Sequence, residues 1–270
     1  MDEQQSPPQA LKLGIIGTGE IAAAIVDGLA RHAEQHPEGT GSMNVTVSPR
    51  GAQISAELAR RHEFVAIAAD NQAVVDDSDI VLLSVLPDSA AEVLPELTIP
   101  SSTPLISAVA ATSIDDLRRW AGTDADIVRT IPMPAVRTGS GLTAIFPEHP
   151  AAHAIFDRTG SCLVLDNEND FATLSTSSAT LSSHFFFIAA IARWLEEAGL
   201  EAGTADAYVR GLFAGAGPAL DSPEPLDTIA RSHETAGGIN EQLRTGWFDE
   251  ANRTHLDEAL DAVRARVMGA

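Results

Sequence analysis

One cysteine, one lysine and one tyrosine are all that 270 residues hold of these types. The lone cysteine, Cys162, excludes an internal disulfide and a cysteine-built metal cluster, which suits a reducing compartment. Within the apolar run 161–165 it reads as a packed strand residue rather than a nucleophile. Lysine and arginine together number 17 against 38 acidic residues, a formal net charge of -21. Such a chain lacks the clustered cations that neutralise a phosphate backbone and release its counterions, so no nucleic-acid partner is expected. No run nears the roughly 18 apolar residues of a membrane span. The start, Met1-Asp2-Glu3-Gln4-Gln5, has neither the basic end nor the apolar core of a secretory signal. The expectation is a cytoplasmic protein with no membrane part. The histidines are scattered without the paired spacing of a metal-binding helix, so no metal site is expected either.

What is present points to a folded protein of two domains. A hydrophobic share of 44% is enough to fill real cores, where disordered chains combine low hydrophobicity with high charge. Apolar, strand-like runs stand at 11–16, 44–47, 80–85, 105–107, 127–131, 142–145 and 162–165, with helical spacing between them. Strands alternating with helices predict parallel βαβ units. From Asp166 onward the strand-like runs stop and helical patterns take over, over 167–198 as one very long helix or two, then 204–220 and 248–267. The division is therefore expected at 1–165, a doubly wound α/β domain, and 166–270, an all-helical one.

The first strand ends in Gly17-Thr18-Gly19 and a helix with apolar spacing follows, so that Gly17-x-Gly19-x-x-Ala22 fits the dinucleotide fingerprint. The first glycine permits the tight turn, the second lets a pyrophosphate approach the backbone, and the small third residue lets helix and strand pack closely. The free N–H groups at the start of that helix then face the phosphates, which makes Gly17, Thr18, Gly19, Glu20 and Ile21 candidate cofactor residues. After the second strand, where an NAD enzyme carries an acidic residue for the ribose diol, the chain reads Ser48-Pro49-Arg50. Ser48 and Arg50 are suited instead to a 2'-phosphate, which favours NADP over NAD.

Three further stretches carry a resemblance. Asp79-Ile80-Val81-Leu82-Leu83-Ser84-Val85-Leu86-Pro87 resembles the fourth-strand signature of pyrroline-5-carboxylate reductases, with Leu86 in place of a lysine. Ile106-Ser107-Ala108-Val109-Ala110-Ala111 is similar to that family's Val-Ser-Ile-Ala-Ala-Gly. Arg129-Thr130-Ile131-Pro132-Met133-Pro134-Ala135 is similar to its Arg-x-Met-Pro-Asn-Thr-Pro-Ala, one residue shorter and with Met133 at the asparagine. The resemblance implies an amino-terminal Rossmann domain, an all-helical second domain that forms a homodimer or higher even oligomer, and reduction of a small cyclic imine by NADPH. It puts Val85, Leu86, Pro87 and Ala110 against the cofactor.

The resemblance also implies two turns that hold the substrate carboxylate. The first corresponds to Ser175-Thr176-Ser177-Ser178-Ala179-Thr180, which has lost the glycines that let successive N–H groups converge on an anion. Ser175, Ser177 and Ser178 remain as hydroxyl candidates, and a plain helix start explains the same residues. The second, His233-Glu234-Thr235-Ala236-Gly237-Gly238-Ile239-Asn240, keeps its glycine pair before a helix, so Gly237, Gly238 and Ile239 are substrate candidates. Thr235 stands at the family's serine and Asn240 at its threonine, which makes these two the catalytic candidates. Hydride transfer to a protonated imine needs little acid–base machinery. His233 is the one histidine near this loop, and His184 reads as packing beside its aromatic neighbours. Leu86, Met133 and the altered 175–180 turn all move toward a less polar site, consistent with another imine or a ketone as substrate. The alternative is a paralogue that binds NADP without catalysis and serves as a sensor or partner subunit.

Overall fold

The structure, a computed structural model, describes residues 10–37 and 43–268. It falls into two compact units, one within Met1–Ser175 together with Val267–Gly269 and the other Thr176–Arg266.

The first unit runs β1 (Leu11–Ile16), α1 (Glu20–Gln35), β2 (Met43–Val47), α2 (Ala52–Arg61), β3 (Val65–Ile67), α3 (Asn71–Asp76), β4 (Ile80–Leu83) and α4 (Pro87–Val93). It continues with β5 (Leu105–Ser107), α5 (Ile114–Ala121), β6 (Ile127–Ile131), a 3-10 turn (Pro134–Thr138), β7 (Gly141–Phe146), α6 (Pro150–Phe156) and β8 (Gly160–Val164). The eight strands lie in the order β3-β2-β1-β4-β5-β6-β7-β8. Because the chain builds β2 and β3 to one side of β1 and then returns to lay β4 on the other, the order reverses between β1 and β4. At such a reversal the connections diverge and leave a crevice beyond the carboxyl ends of the strands.

The strands read as near-continuous apolar runs because both faces are covered. Leu13, Ile15, Val45, Val47, Leu82 and Val128 point to one face, where they pack with Ile25, Leu29, Leu58 and Ile155 from α1, α2 and α6. Ile16, Val81, Leu83, Leu105 and Ile127 point to the other, against Val74, Ala90 and Leu117 from α3, α4 and α5. Each such side chain removed from water contributes about 1.5–3 kcal/mol.

Two points differ from the sequence reading. β3 is a strand of three residues, too short to give a period, and it pairs with β2 through Val45↔Val65 and Val47↔Ile67. β7 runs antiparallel to β6, with Thr130 opposite Ile145, so the sheet is not parallel throughout. The nine residues 132–140 between these strands are too few for a parallel crossover, which needs a dozen or more.

Helix α7 (Glu168–Ser177) contains the division between the units. The second unit comprises α8 (Thr180–Glu197), α9 (Ala202–Ala216), α10 (Leu226–Ser232), α11 (Ile239–Trp247) and α12 (Glu250–Val267). Residues 167–198 thus form two helices rather than one. Within Glu168–Glu197 an 18-residue window reaches a mean hydropathy of 1.2, which makes this stretch the one candidate membrane span among the described residues on length and composition, where the sequence reading expected none. Its aromatic side chains are partly used within the unit. Phe187 stacks on Trp247 at 5.3 Å, and His184 and Phe187 both meet Phe213 edge-on. Phe185, Phe186 and Trp194 stay 61%, 75% and 65% exposed.

Candidate functional site

At the carboxyl end of β1 the chain turns through Gly17 with φ +93°, a left-handed conformation that disfavours any residue with a Cβ. A Cβ there would also lie 2.5 Å from the Ser84 carbonyl oxygen, so β4 approaches the turn as closely as a glycine allows. Gly17 is therefore required by the protein itself. Gly19 is not. Its φ of -107° suits any residue, and a Cβ built on it meets nothing within 4 Å. It stands at the start of α1, and no side chain caps that helix. The first-turn N–H groups, including those of Glu20 and Ile21, keep the partial positive charge of a helix start, with room in front of them. A missing Cβ that the fold does not need, before an uncapped helix and in the crevice of a reversing sheet, fits a pyrophosphate. Behind the turn, Ala22 is fully buried and lets α1 lie close on the sheet.

Ser48 occupies a different place from the one expected. It is fully buried, its hydroxyl accepts the Gly17 N–H at 3.1 Å, and its carbonyl accepts the hydroxyls of Thr18 and Ser55. Its bonds prop the glycine turn from beneath, so no Ser48 hydroxyl is turned outward to a phosphate. Thr18 is likewise buried, as part of the same prop. Arg50, in contrast, is exposed and lines a cleft of about 410 Å³ with Asp70, Asn71, Glu92 and Glu96. The Asp70 carboxylate is engaged there, accepting the Ala73 N–H at 2.8 Å as the cap of α3. Arg50 is the one cation lining this cleft.

Val85 leans against the glycine turn, where its methyl carbon would be 2.5 Å from a Cβ on Gly17. Leu86 is 75% exposed at the cap of α4, and Pro87 is the first residue of that helix. Ala110 lies exposed in the turn between β5 and α5. The next residue, Ala111, has φ +49° and is the one positive-φ residue other than glycine among the described residues. Arg129, quoted in the sequence only as part of a motif, proves to be buried on β6. It donates to Glu168 at 2.8 Å, and its guanidinium carbon lies 4.5 Å from the Phe171 ring centre. Burial pulls its pKa below the ordinary arginine value, and the carboxylate of Glu168 pushes it back up. An arginine inside Ile127-Val128-Arg129-Thr130-Ile131 was the available signal, since a charge in a covered strand needs a partner.

In the second unit the two expected turns behave differently. Ser175 and Ser177 are helical residues of α7, and Ser178 sits in the two-residue break before α8. The break carries no positive φ, so it forms no nest of converging N–H groups, because the glycines that would allow one are gone. The 233–240 loop does fold as a glycine turn. Gly237 takes φ +69°, Gly238 caps α11, and the Gly238 N–H donates to the Thr235 carbonyl at 2.7 Å. Its donors are used internally, however. The Gly237 N–H donates to the Glu241 carboxylate at 2.6 Å and the Asn240 side-chain N–H to the His233 carbonyl at 2.7 Å. Ile239 is 83% exposed beside them. Asn240 thus closes the loop with one of its two amide N–H groups. Glu241, missed in the sequence, is recognisable as the acidic residue three positions into a helix that reaches back to cap it.

Cys162 gathers with His153 and Asp157 within 4.8 Å, the one such trio of ligand-type side chains among the described residues. Burial and Asp157 push the thiol up to about 12, so it stays protonated, and His153 bonds Asp157 at 3.0 Å.

The crevice at the strand reversal is built as α/β oxidoreductases build a dinucleotide site. Residues 12–111 match a family described as "NADP oxidoreductase coenzyme F420-dependent". The chain is 30% identical to the pyrroline-5-carboxylate reductase of Glycine max over 145 residues, 52% of this chain and 49% of that protein, so that match spans about half of each. It is 26% identical to the pyrroline-5-carboxylate reductase of Pasteurella multocida over 244 residues, 85% of this chain and 86% of that one. Its fold matches the Plasmodium falciparum pyrroline carboxylate reductase, solved with NADP bound, with a TM-score of 0.77 at 18% identity over 96% of this chain and 97% of that one. Over residues 12–111 the class that the chain resembles is that of NADP oxidoreductases. Beyond that stretch, the similarity that runs along most of the chain is to pyrroline-5-carboxylate reductases, and at 26% identity it is a distant one.

Proposed function

We propose that this protein is an NADPH-dependent reductase of a small cyclic imine, pyrroline-5-carboxylate or a close analogue, working in the cytoplasm as a homodimer or higher even oligomer. The observation that carries the reading is the Gly19 gap before the uncapped start of α1, in a chain that aligns along most of its length with reductases of that name. NADPH would supply the hydride, and the protein's part is to hold and orient. The first turn of α1 would take the pyrophosphate. Arg50 would grip a 2'-phosphate, the role left to it once Ser48 is committed to the glycine turn. Val85, Leu86, Pro87 and Ala110 would line the dinucleotide, and the 175–178 and 235–240 segments the imine. The exposed Phe185, Phe186 and Trp194 of α8 support assembly through the helical unit.

Within this reading, the 233–241 loop favours an imine with little or no carboxylate. Its glycine N–H already holds the carboxylate of Glu241, and a substrate carboxylate would have to displace a like charge. The test is purified protein with NADPH and a panel containing pyrroline-5-carboxylate, unsubstituted 1-pyrroline and larger cyclic imines. Loss of nicotinamide absorbance with formation of the cyclic amine is the expected result. Tight NADPH binding without turnover on any member would overturn the reductase reading in favour of a sensor or partner subunit.

A further inference from the structure

Arg129 is the one charged residue among the buried residues described, and burying a charge is costly. It is 4% exposed, it lies opposite Ser107 in the β5–β6 register, and its Nε has no partner. Replacing such a buried charge by an apolar side chain of similar size is commonly neutral or stabilising, so a guanidinium here is explained by geometry rather than by fold stability. Its Nη1 donates to Glu168 Oε1 at 2.8 Å, and the same oxygen accepts the N–H of Ile114, the first residue of α5, at 2.9 Å. One carboxylate oxygen at the start of α7 therefore joins β6 to α5. Between β5 and α5 lies the turn 108–113, at the carboxyl edge of the sheet. It is stiffened on its strand side by Thr130 Oγ1 donating to the Ser107 carbonyl and by the Val109 N–H donating to Ser107 Oγ. On its helix side it is tied by Glu168 and by the Ser113 cap of α5.

We propose that Arg129 and Glu168 form a positioning clamp that fixes the 108–113 turn against the nicotinamide end of the bound dinucleotide. The inference rests on the NADPH reading above. Neither residue is placed on the reacting atoms; both act through the turn. Phe171, under the guanidinium, restricts the pair to one geometry, since a cation over a ring face has a preferred position.

The full-length protein tests this with Glu168→Ala, Glu168→Gln and Arg129→Lys. Hydrogen exchange across 109–114, NADPH affinity, and kcat with its isotope effect from 4-deuterated NADPH are the readouts. For Glu168→Ala, exchange at 109–114 should speed up and kcat should fall about tenfold or more, as displacement of a positioned reactant does. The isotope effect should rise while NADPH affinity stays within about twofold, because the pyrophosphate end is untouched. Glu168→Gln keeps an oxygen for the Ile114 N–H and should recover much of the protection, and Arg129→Lys should lie between wild type and Glu168→Ala. An unchanged kcat and isotope effect in Glu168→Ala, or kcat and NADPH affinity lost together, would overturn the clamp. If the wild type turns over no imine, NADPH must still slow exchange at 109–114 in the wild type and fail to do so in Glu168→Ala. Absence of that difference overturns the clamp independently of the reductase reading.

Discussion

In the first unit, helices close both faces of the sheet and the side chains beneath them are almost wholly out of water. In the second, the buried hydrophobic residues between 176 and 266 are Ala192, Ala205 and Val209, while Phe185, Phe186, Trp194, Tyr208 and Leu212 face outward. The difference between them is one of tertiary burial. Most helical stability comes from packing an apolar face rather than from propensity. The sheet unit supplies its own packing; the helical unit presents a face for packing that it does not itself complete.

The largest expected effect breaks the second half of that contrast. Wild-type protein should sediment as a dimer or higher even oligomer, and Phe186→Asp should weaken association by about 4 kcal/mol or more, the upper scale of a central aromatic in an interface. The sheet unit should be unaffected, so tryptophan fluorescence and circular dichroism should report loss of the helical unit's cooperative melting first. A wild-type protein that sediments as a monomer at every concentration would break the comparison.

Next in size, two adjacent glycines separate what the fold needs from what a ligand needs. Gly17→Ala forces a Cβ into φ +93° and onto the Ser84 carbonyl, and should cost about 2–4 kcal/mol of stability from left-handed strain and overpacking together. Gly19→Ala meets no protein atom within 4 Å and should melt close to wild type, yet lose NADPH binding because the methyl fills the space left for pyrophosphate. Thermal melts without nucleotide, paired with NADPH titration, separate the two. Equal loss of stability in both variants would remove the steric case for a phosphate at Gly19.

The same contrast decides what could be read in the sequence. The strands of the first unit were legible because covered strands leave unbroken apolar runs, and Ile127–Ile131 matches to the residue. β3 was hidden by its length, and the reversal of β7 by the fact that strand direction leaves no mark on composition. The glycine turn was legible as a motif, but the direction of the Ser48 hydroxyl was not: burial under Gly17 depends on how β2 sits beside β1. In the helical unit the serines of 175–178 fell within the helical pattern read over 167–198, but where one helix ends and the next begins left no mark in that run. The closing of the second loop by Glu241 and Asn240 depends on which donors reach which acceptors in three dimensions. Arg129 is the intermediate case, visible as a charge out of place, with its partner 39 residues away.

The smallest expected effect lies in the 108–113 turn, the one place among the described residues where the well-packed unit carries a positive φ in a residue other than glycine. Ala111 at φ +49° pays the left-handed cost of about 1–2 kcal/mol that a glycine would not. Ala111→Gly relieves that strain but adds about 0.4–1 kcal/mol of unfolded-chain entropy. The net is a gain of about 0.5 kcal/mol, roughly 1–2 °C in melting temperature for a chain of this size. Ala110, one residue earlier and without a positive φ, is the control: Ala110→Gly has only the entropic loss and should lower the melting temperature by a similar amount. Opposite signs at neighbouring positions, measured without nucleotide, would locate the strain at Ala111. A drop in both would mean that the turn relaxes in solution and that the clamp beside it holds less than the geometry indicates.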